Sequence, residues 1–279
     1  MHLAAVSILY NPSNPVIENL LSYCNEVDEL YIMDNSATGN GFITEKFTGK
    51  NVFYFHDGEN KGIAARLNQA AKKALENGFE WLLTMDQDSA FNNNLKQYKE
   101  YIAAYPHKEI TAQFGVNFSK PITNAVYTEV PILITSGSII NLTLFNAIGG
   151  FDEQLFIDEV DSEYCYRSRI FGYKIVECSS ILLQHHLGEI QMGRSLKSGK
   201  LTPRTLHAPI RMYYMVRNYF YVVHKLPTIA LVEKKEMKRG LLLRIKNNII
   251  YNQKRLDVIK SIIKGYFDFR NNKMGKAHL

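Results

Sequence analysis

Trp81-Leu-Leu-Thr-Met-Asp-Gln-Asp-Ser89 is a short apolar run that ends in two aspartates one residue apart. Trp81 to Met85 reads as a buried strand, with Gly78 as its upstream boundary. Asp86 and Asp88 then lie where the chain leaves the sheet, the edge at which open α/β sheets bind ligands. On extended backbone alternate residues point the same way, so both carboxylates can face one crevice. Two carboxylates held together repel unless something positive lies between them, and a divalent cation carrying a diphosphate meets that need. Asp and Ser also favour solvated turns, and these nine residues alone leave that alternative open.

Working outward, Leu3 to Leu9 and Glu29 to Met33 read as strands, the second running into Asp34-Asn35-Ser36. Between them Asn14 to Asn25 has helical spacing, with Pro15 near its first turn. Val52 to Phe55 is a third short strand. Gly62 to Glu76 is the clearest helix, with Ile63, Leu67, Ala70, Ala71, Ala74 and Leu75 on one face and Asn77-Gly78 as its stop. The first 90 residues thus follow a β-α-β-β-α-β order, which predicts a mostly parallel, doubly wound α/β sheet. Downstream, the pattern predicts a helix over 92–105, strands over 110–118 and 130–135, and a turn at Ser136-Gly137-Ser138. It continues with helices over 142–148 and 158–171, a strand over 174–178, and helix throughout from Arg204.

The chain has 279 residues, 46% apolar and 22% charged, which suits a globular protein with a sizeable core. Three cysteines without metal-ligand spacing read as reduced thiols. No secretory signal is recognisable at the start, and no apolar run is long enough to span a bilayer. The net charge of +6 is uneven: residues 233–279 carry 13 Lys or Arg against 4 Asp or Glu. That basic region points to an anionic partner surface. It lacks zinc-finger or basic-zipper spacing, so nucleic acid is not expected; Leu and Ile interleaved with Lys and Arg fit an amphipathic helix against protein or anionic lipid.

Other constellations carry possible chemistry. Asp34, at the same sheet edge as Asp86, could accept a hydrogen bond from a base or ribose, although Asp-Asn-Ser is also a common turn. Asn60-Lys61-Gly62-Ile63-Ala64 opens the clearest helix and would offer backbone N–H groups to phosphate or ribose, or simply cap it. Asp158, Glu159 and Asp161 place three carboxylates in four residues, with Asp158 and Asp161 expected on one helical face. One of them could act as general base. His185 and His186 follow a strand-like run, and a histidine beside Asp86 and Asp88 would complete an oxygen/nitrogen site of the kind Mn²⁺ or Mg²⁺ accepts.

Taken in order, MDNS, ENKGIAARLN, LLTMDQDS, TSGSIINLTLFNAIGGFDEQLFIDEVDSEYCYR, HHLGE and YYMVRN resemble the inverting family 2 glycosyltransferases of GT-A fold. More narrowly, they resemble the bacterial rhamnosyltransferase branch that builds O-antigen and related polysaccharides. The resemblance spans about the first 220 residues. It implies that Asp34 contacts the base, that Asn60 to Ala64 and Asn68 contact the nucleotide, and that Asp86 meets the ribose or diphosphate. Asn11 and Gln87 fall with these on the donor side. It further implies that Asp88 ligates Mn²⁺ or Mg²⁺ with His185 as a further ligand or a diphosphate contact, and that Asp158, Glu159 and Asp161 face the acceptor, Asp158 being the favoured base and Asp161 the next. The implied donor is a nucleotide-sugar, dTDP-rhamnose above others, and the implied acceptor a glycan or lipid-linked oligosaccharide.

Rival readings are weaker on their motifs. A haloacid-dehalogenase-like phosphatase wants Thr or Val where this chain has Ala90, and a nucleotidylyltransferase wants a Gly-rich, Arg-containing loop that is missing from Tyr10 to Pro15. A non-catalytic membrane-surface protein would leave three acidic clusters without a use. The expected layout is a GT-A catalytic domain over 1–203 and a basic helical region over 204–279, in a cytoplasmic protein that could sit on the inner face of the plasma membrane.

Overall fold

The structure, a computed structural model, describes residues 1–13, 15–118, 125–185, 190–194 and 199–277. The chain divides into two compact units. One comprises Met1–Phe156 with Val160–His186, and the other Ile157–Glu159 with Leu187–Leu279.

The first unit is built on a sheet that starts with four parallel strands, β1 (Leu3–Leu9), β2 (Glu29–Asp34), β3 (Val52–His56) and β4 (Trp81–Asp86), in the spatial order β3-β2-β1-β4. β1, β2 and β4 are nearly continuous apolar runs because helices cover both faces of such a sheet. The helices α1 (Val16–Cys24) and α2 (Gly62–Glu76) are the crossovers, and α2 packs through a face of small residues, Ala64, Ala70, Ala71 and Ala74, all fully buried. Beyond β4 the sheet turns mixed. β5 (Ser89–Phe91), β6 (Thr111–Asn117), β7 (Tyr127–Glu129), β8 (Ser138–Asn141) and β9 (Lys174–His185) complete it, with β8 antiparallel to β4 and β6 parallel to β9. α3 (Leu95–Ala104), α4 (Leu142–Ile148) and α5 (Val160–Ile170) lie between these strands in sequence.

Two expectations differ here. Residues 130–135 form no strand; instead the Gly137 N–H donates to Thr84 O (2.9 Å) and the Ser138 N–H to Thr135 O (3.1 Å), so the segment is a turn that feeds β8. Asp158 and Glu159 precede α5 and have φ of +64° and +61°. They are therefore not on a helical face with Asp161.

The second unit contains a hairpin of β10 (Ile190–Arg194) and β11 (Leu201–Thr205) and three helices, α6 (Pro209–Lys225), α7 (Leu231–Tyr251) and α8 (Arg255–Arg270). Arg204 and Thr205 are strand rather than helix, and Pro209 opens α6 at the one helical position where a missing N–H costs nothing. The division thus falls upstream of the expected 203/204 boundary. α6 and α8 cross at Gly265, where an added Cβ would lie 2.6 Å from the Tyr213 carbonyl oxygen. Behind the crossing, the fully buried Arg217 donates to Gly275 O (2.8 Å) and Asn218 Oδ1 (3.0 Å), and its guanidinium lies over the Tyr213 and Tyr214 rings.

This crossing makes a paired stability test. Gly240 in α7 has open space around it, so Gly240→Ala should stabilise by about 1 kcal/mol through helix propensity alone. Gly265→Ala gains the same propensity but pushes a methyl into backbone, and overpacking of about 1–3 kcal/mol should outweigh it. Urea unfolding of both variants checks the opposite signs.

Candidate functional site

The parallel register sets Leu9 beside Asp34, Ile8 beside Asp86, and Asp34 beside His56, so β1, β2, β3 and β4 all end at one edge. Both Asp34 and Asp86 are therefore carried to the C-terminal rim of the sheet, as the sequence predicted. The strand stops at Asp86, and Gln87-Asp88 form a turn rather than extended backbone. Gln87 clasps the loop after β1: it accepts from the Tyr10 N–H (2.8 Å), donates to Tyr10 O (3.2 Å), and its own carbonyl accepts from Asn19 Nδ2 (2.8 Å). Asn11, at φ +46°, donates its N–H to Ser36 Oγ (2.8 Å), which ties the β1 loop to the β2 loop. On the other flank the Asp86 N–H donates to Ser136 Oγ (3.3 Å), and that hydroxyl donates to Ser89 Oγ (2.7 Å). Asp86, Gln87 and Asp88 are half-buried on this cross-tied frame, and one carboxylate oxygen of Asp88 is buried.

Asp34 is fully buried and accepts from the Ser36 N–H (2.8 Å), the Asn40 N–H (3.1 Å), Asn40 Nδ2 (2.9 Å) and the Tyr54 hydroxyl (2.6 Å). Burial alone would raise its carboxyl pKa, but these donors outweigh it and hold the group below the usual range. A carboxylate has about four acceptor sites, so Asp34 is saturated by its own loop together with Tyr54 of β3.

Next to it, Asn35 and Arg66 form a hub that the sequence did not announce. Arg66, almost fully buried on α2, donates to Asn35 Oδ1 (2.8 Å), Asp57 Oδ1 (2.6 Å), Glu59 O (2.9 Å) and Asp34 O (3.3 Å). Lys61 also pairs with Asp57 at 2.5 Å, and the two cations hold the Asp57 carboxyl well below its ordinary value. The clue was an arginine three residues after Ile63, within the Ala-rich helix face; its partners lie too far along the chain to be inferred.

The start of α2 is not an open cradle of amides. The Lys61 N–H donates to Asn35 Oδ1 (3.1 Å), the Gly62 N–H to Asn60 Oδ1 (3.0 Å) and the Ile63 N–H to Phe156 O (2.7 Å). Gly62 is required here: its φ is +84°, and a Cβ would sit 2.5 Å from the Phe156 carbonyl oxygen. Asn68 is likewise engaged within the protein, accepting from the Phe151 N–H and donating to Phe151 O, both at 2.9 Å. Ile63 and Asn68 thus fasten the segment that leads into the acidic cluster, Gly62 lets it approach closely, and Asn60 caps the Gly62 N–H. Ala64 is fully buried on the same helix.

In that cluster Asp158 belongs to the second unit, where Arg211 grips it through both oxygens, Nε to Oδ2 at 2.9 Å and Nη2 to Oδ1 at 2.5 Å. Asn218 Nδ2 donates to Ile157 O (2.7 Å) and Asp158 O (3.0 Å), fixing the backbone below. His207, in the same unit, has its imidazole pKa lowered by burial and by the Arg211 charge, with Asp158 opposing. Asp161 belongs to the first unit with Asp86 and Asp88, in the first turn of α5, where Oδ1 accepts from the Ser162 N–H (2.9 Å). Glu163 is fully buried and structural: Arg167 donates to both its oxygens at 2.8 Å and reaches the Ile148 and Gly150 carbonyls.

His185 ends β9, its backbone registered with Ser89 beside the Asp86–Asp88 turn, and its side chain lies outside what the structure describes. His186 lies outside the described residues altogether. Among the described residues no three His, Cys, Asp or Glu side chains gather closely enough to hold a metal by themselves.

The model of the family described as glycosyl transferase family 2 matches residues 6–166, more than half of the chain. The chain belongs to that family. This family 2 glycosyltransferase is similar along nearly its whole length to the dTDP-rhamnosyl transferase RfbF of Shigella flexneri, at 27% identity over 299 aligned positions, 95% of this chain and 97% of that one. Among solved structures it resembles S. aureus TarS 1–349 in complex with UDP-GlcNAc, with a TM-score of 0.62, 17% identity, and coverage of 96% of this chain and 80% of that one. GalNAc-T7 with UDP, GalNAc and Mn²⁺ aligns at a TM-score of 0.61 and 12% identity, over 97% of this chain and 56% of that one. These likenesses establish the GT-A fold. Family membership displaces the phosphatase, nucleotidylyltransferase and non-catalytic readings of the sequence.

Proposed function

We propose that this glycosyltransferase moves L-rhamnose from dTDP-rhamnose to a hydroxyl of a glycan or lipid-linked oligosaccharide, inverting the anomeric carbon. The observation that supports the donor is the likeness to a dTDP-rhamnosyl transferase across 95% of the chain. The sheet edge supports the chemistry, since the loops after β1, β2 and β4 are cross-tied there around two half-buried aspartates. In our reading Asp34 does not touch the base itself; saturated by its own loop and Tyr54, it shapes the 34–40 turn against which a base would rest. Asn11 and Gln87 set the β1 loop in the same way. Mn²⁺ and Mg²⁺ are commonly held by one or two carboxylates plus phosphate oxygens, and Asp86 and Asp88 on one turn fit that donor set, with His185 in sequence reach as a further ligand. Such an ion, when bound, offsets the negative charge of the departing diphosphate.

We assign the general base to Asp161. Asp158 has both oxygens committed to Arg211, which suits an orienting carboxylate better than a proton acceptor. The acceptor oxygen forms its bond to the anomeric carbon as the bond to the diphosphate breaks, the electron pair leaves with dTDP, and the hydroxyl proton passes to Asp161. Glu159, at φ +61°, is held beside it in sequence and is given no proton-transfer role. The site of action is proposed to be the inner face of a membrane bearing the acceptor; among the described residues no helix is long and apolar enough to cross one.

A thermal-shift screen with Mn²⁺ tests the donor. dTDP-rhamnose should raise Tm, and UDP-GlcNAc at the same concentration should not. Equal stabilisation by UDP-sugars, or none by dTDP-rhamnose, would reassign the donor while leaving the family intact.

A further inference from the structure

Within the second unit, α6, α7 and α8 leave an apolar groove of about 470 Å³ open on one side. Its floor is core, built from Leu241, Ile245 and Ile262, which pack with Met212, Val216 and Val258. Its rim is not core: Leu242, Ile263 and Phe267 are 54%, 51% and 57% exposed. Water would be excluded from such a surface only by something apolar laid over it.

The surrounding charge says what that something is. Residues 231–270 carry eleven Lys or Arg against four Asp or Glu, and Lys238 stands in the groove wall. A second copy of this chain would bring the same positive helices face to face, and an ordinary apolar protein partner would leave the cations without a use. A bilayer of anionic lipid satisfies both features at once, with headgroups against the lysines and acyl chains against the exposed Leu, Ile and Phe. One diphosphate-bearing ligand would need far fewer cations.

We propose that this groove is a membrane-docking site, in which the rim residues Leu242, Ile263 and Phe267 enter the acyl region and the basic residues of α7 and α8 contact anionic headgroups. The proposal deepens the reading of the protein as an enzyme acting at a membrane face, but its test reads binding and not transfer.

The test is co-sedimentation of the full chain with vesicles of phosphatidylcholine alone and of phosphatidylcholine with about one third phosphatidylglycerol. The chain should partition onto the anionic vesicles at least about tenfold better than onto the neutral ones, and added salt should weaken this. Leu242→Ser with Phe267→Ser keeps the charge and alters only exposed positions, so it should fold; it should lower partitioning by about tenfold or more. Circular dichroism and dTDP affinity serve as controls for folding. Unchanged binding by the double variant would overturn the groove and reduce the interaction to headgroup attraction. Equal binding to neutral vesicles would overturn the charge argument. A dimer in light scattering that the double variant converts to monomer would assign the groove to a second copy instead.

Discussion

Asp161→Asn should lower kcat by about 10²–10⁴-fold while leaving the affinity for dTDP close to that of the parent enzyme. Asparagine keeps the shape and still accepts from the Ser162 N–H through its carbonyl oxygen, so the start of α5 need not change. What it removes is the ability to take a proton. Asp158→Asn should behave differently, because its carboxylate is engaged by Arg211 at both oxygens. That variant loses a two-point ion pair at a side chain only 12% exposed, so stability and KM should suffer more than kcat. Single-turnover assays with saturating donor separate the two. If Asp161→Asn turned over near normally and Asp158→Asn did not, the base would be Asp158, and the contact with Arg211 would have to open during the reaction.

The second large effect is expected at Asp88. Asp88→Ala should reduce turnover by at least about 10²-fold, comparable to the loss of one strong electrostatic contact in the transition state. It should also abolish the difference in dTDP affinity measured with and without Mn²⁺. Bonds that hold the turn remain in the variant: Gln87 still bonds the β1 loop and Ser136 still receives the Asp86 N–H. The fold should therefore survive the change. Calorimetry of dTDP binding to both proteins, in Mn²⁺ and in chelator, gives the comparison. An unchanged metal increment in Asp88→Ala would place the ion elsewhere.

Much of the parallel half of the sheet was readable in advance. Strands covered on both faces are written as apolar runs, and Leu3–Leu9 and Gly62–Glu76 have the bounds their periodicity predicts. The expected site positions Asp34 and Asp86 follow from those bounds, since a parallel register brings every strand exit to one side. The antiparallel half was less legible. β8 has four residues and follows a Gly turn, so its pattern is too short to separate from the loop before it. Local propensity also gave no warning that Phe156, Asp158 and Glu159 would adopt positive φ, which non-glycine residues rarely do. Tertiary contacts enforce it, among them the Ile63 N–H on Phe156 O and Asn218 on Ile157 O. Two ion pairs, Arg66 with Asp57 in the first unit and Arg211 with Asp158 in the second, join residues 9 and 53 positions apart. Charge composition names such residues but cannot pair them.

The hold of Asn218 on Ile157 and Asp158 has a consequence for anyone recombining this enzyme with its relatives. A chimera joined at a boundary near residue 204 would import α6 from one parent and the 157–159 loop from another, splitting Arg211 from the carboxylate it grips and Asn218 from the carbonyls it binds. The heritable module is discontinuous. A functional swap of the C-terminal helices has to carry residues 157–159 from the middle of the sequence along with them, and it has to retain the Gly275 carbonyl, on which the buried Arg217 depends.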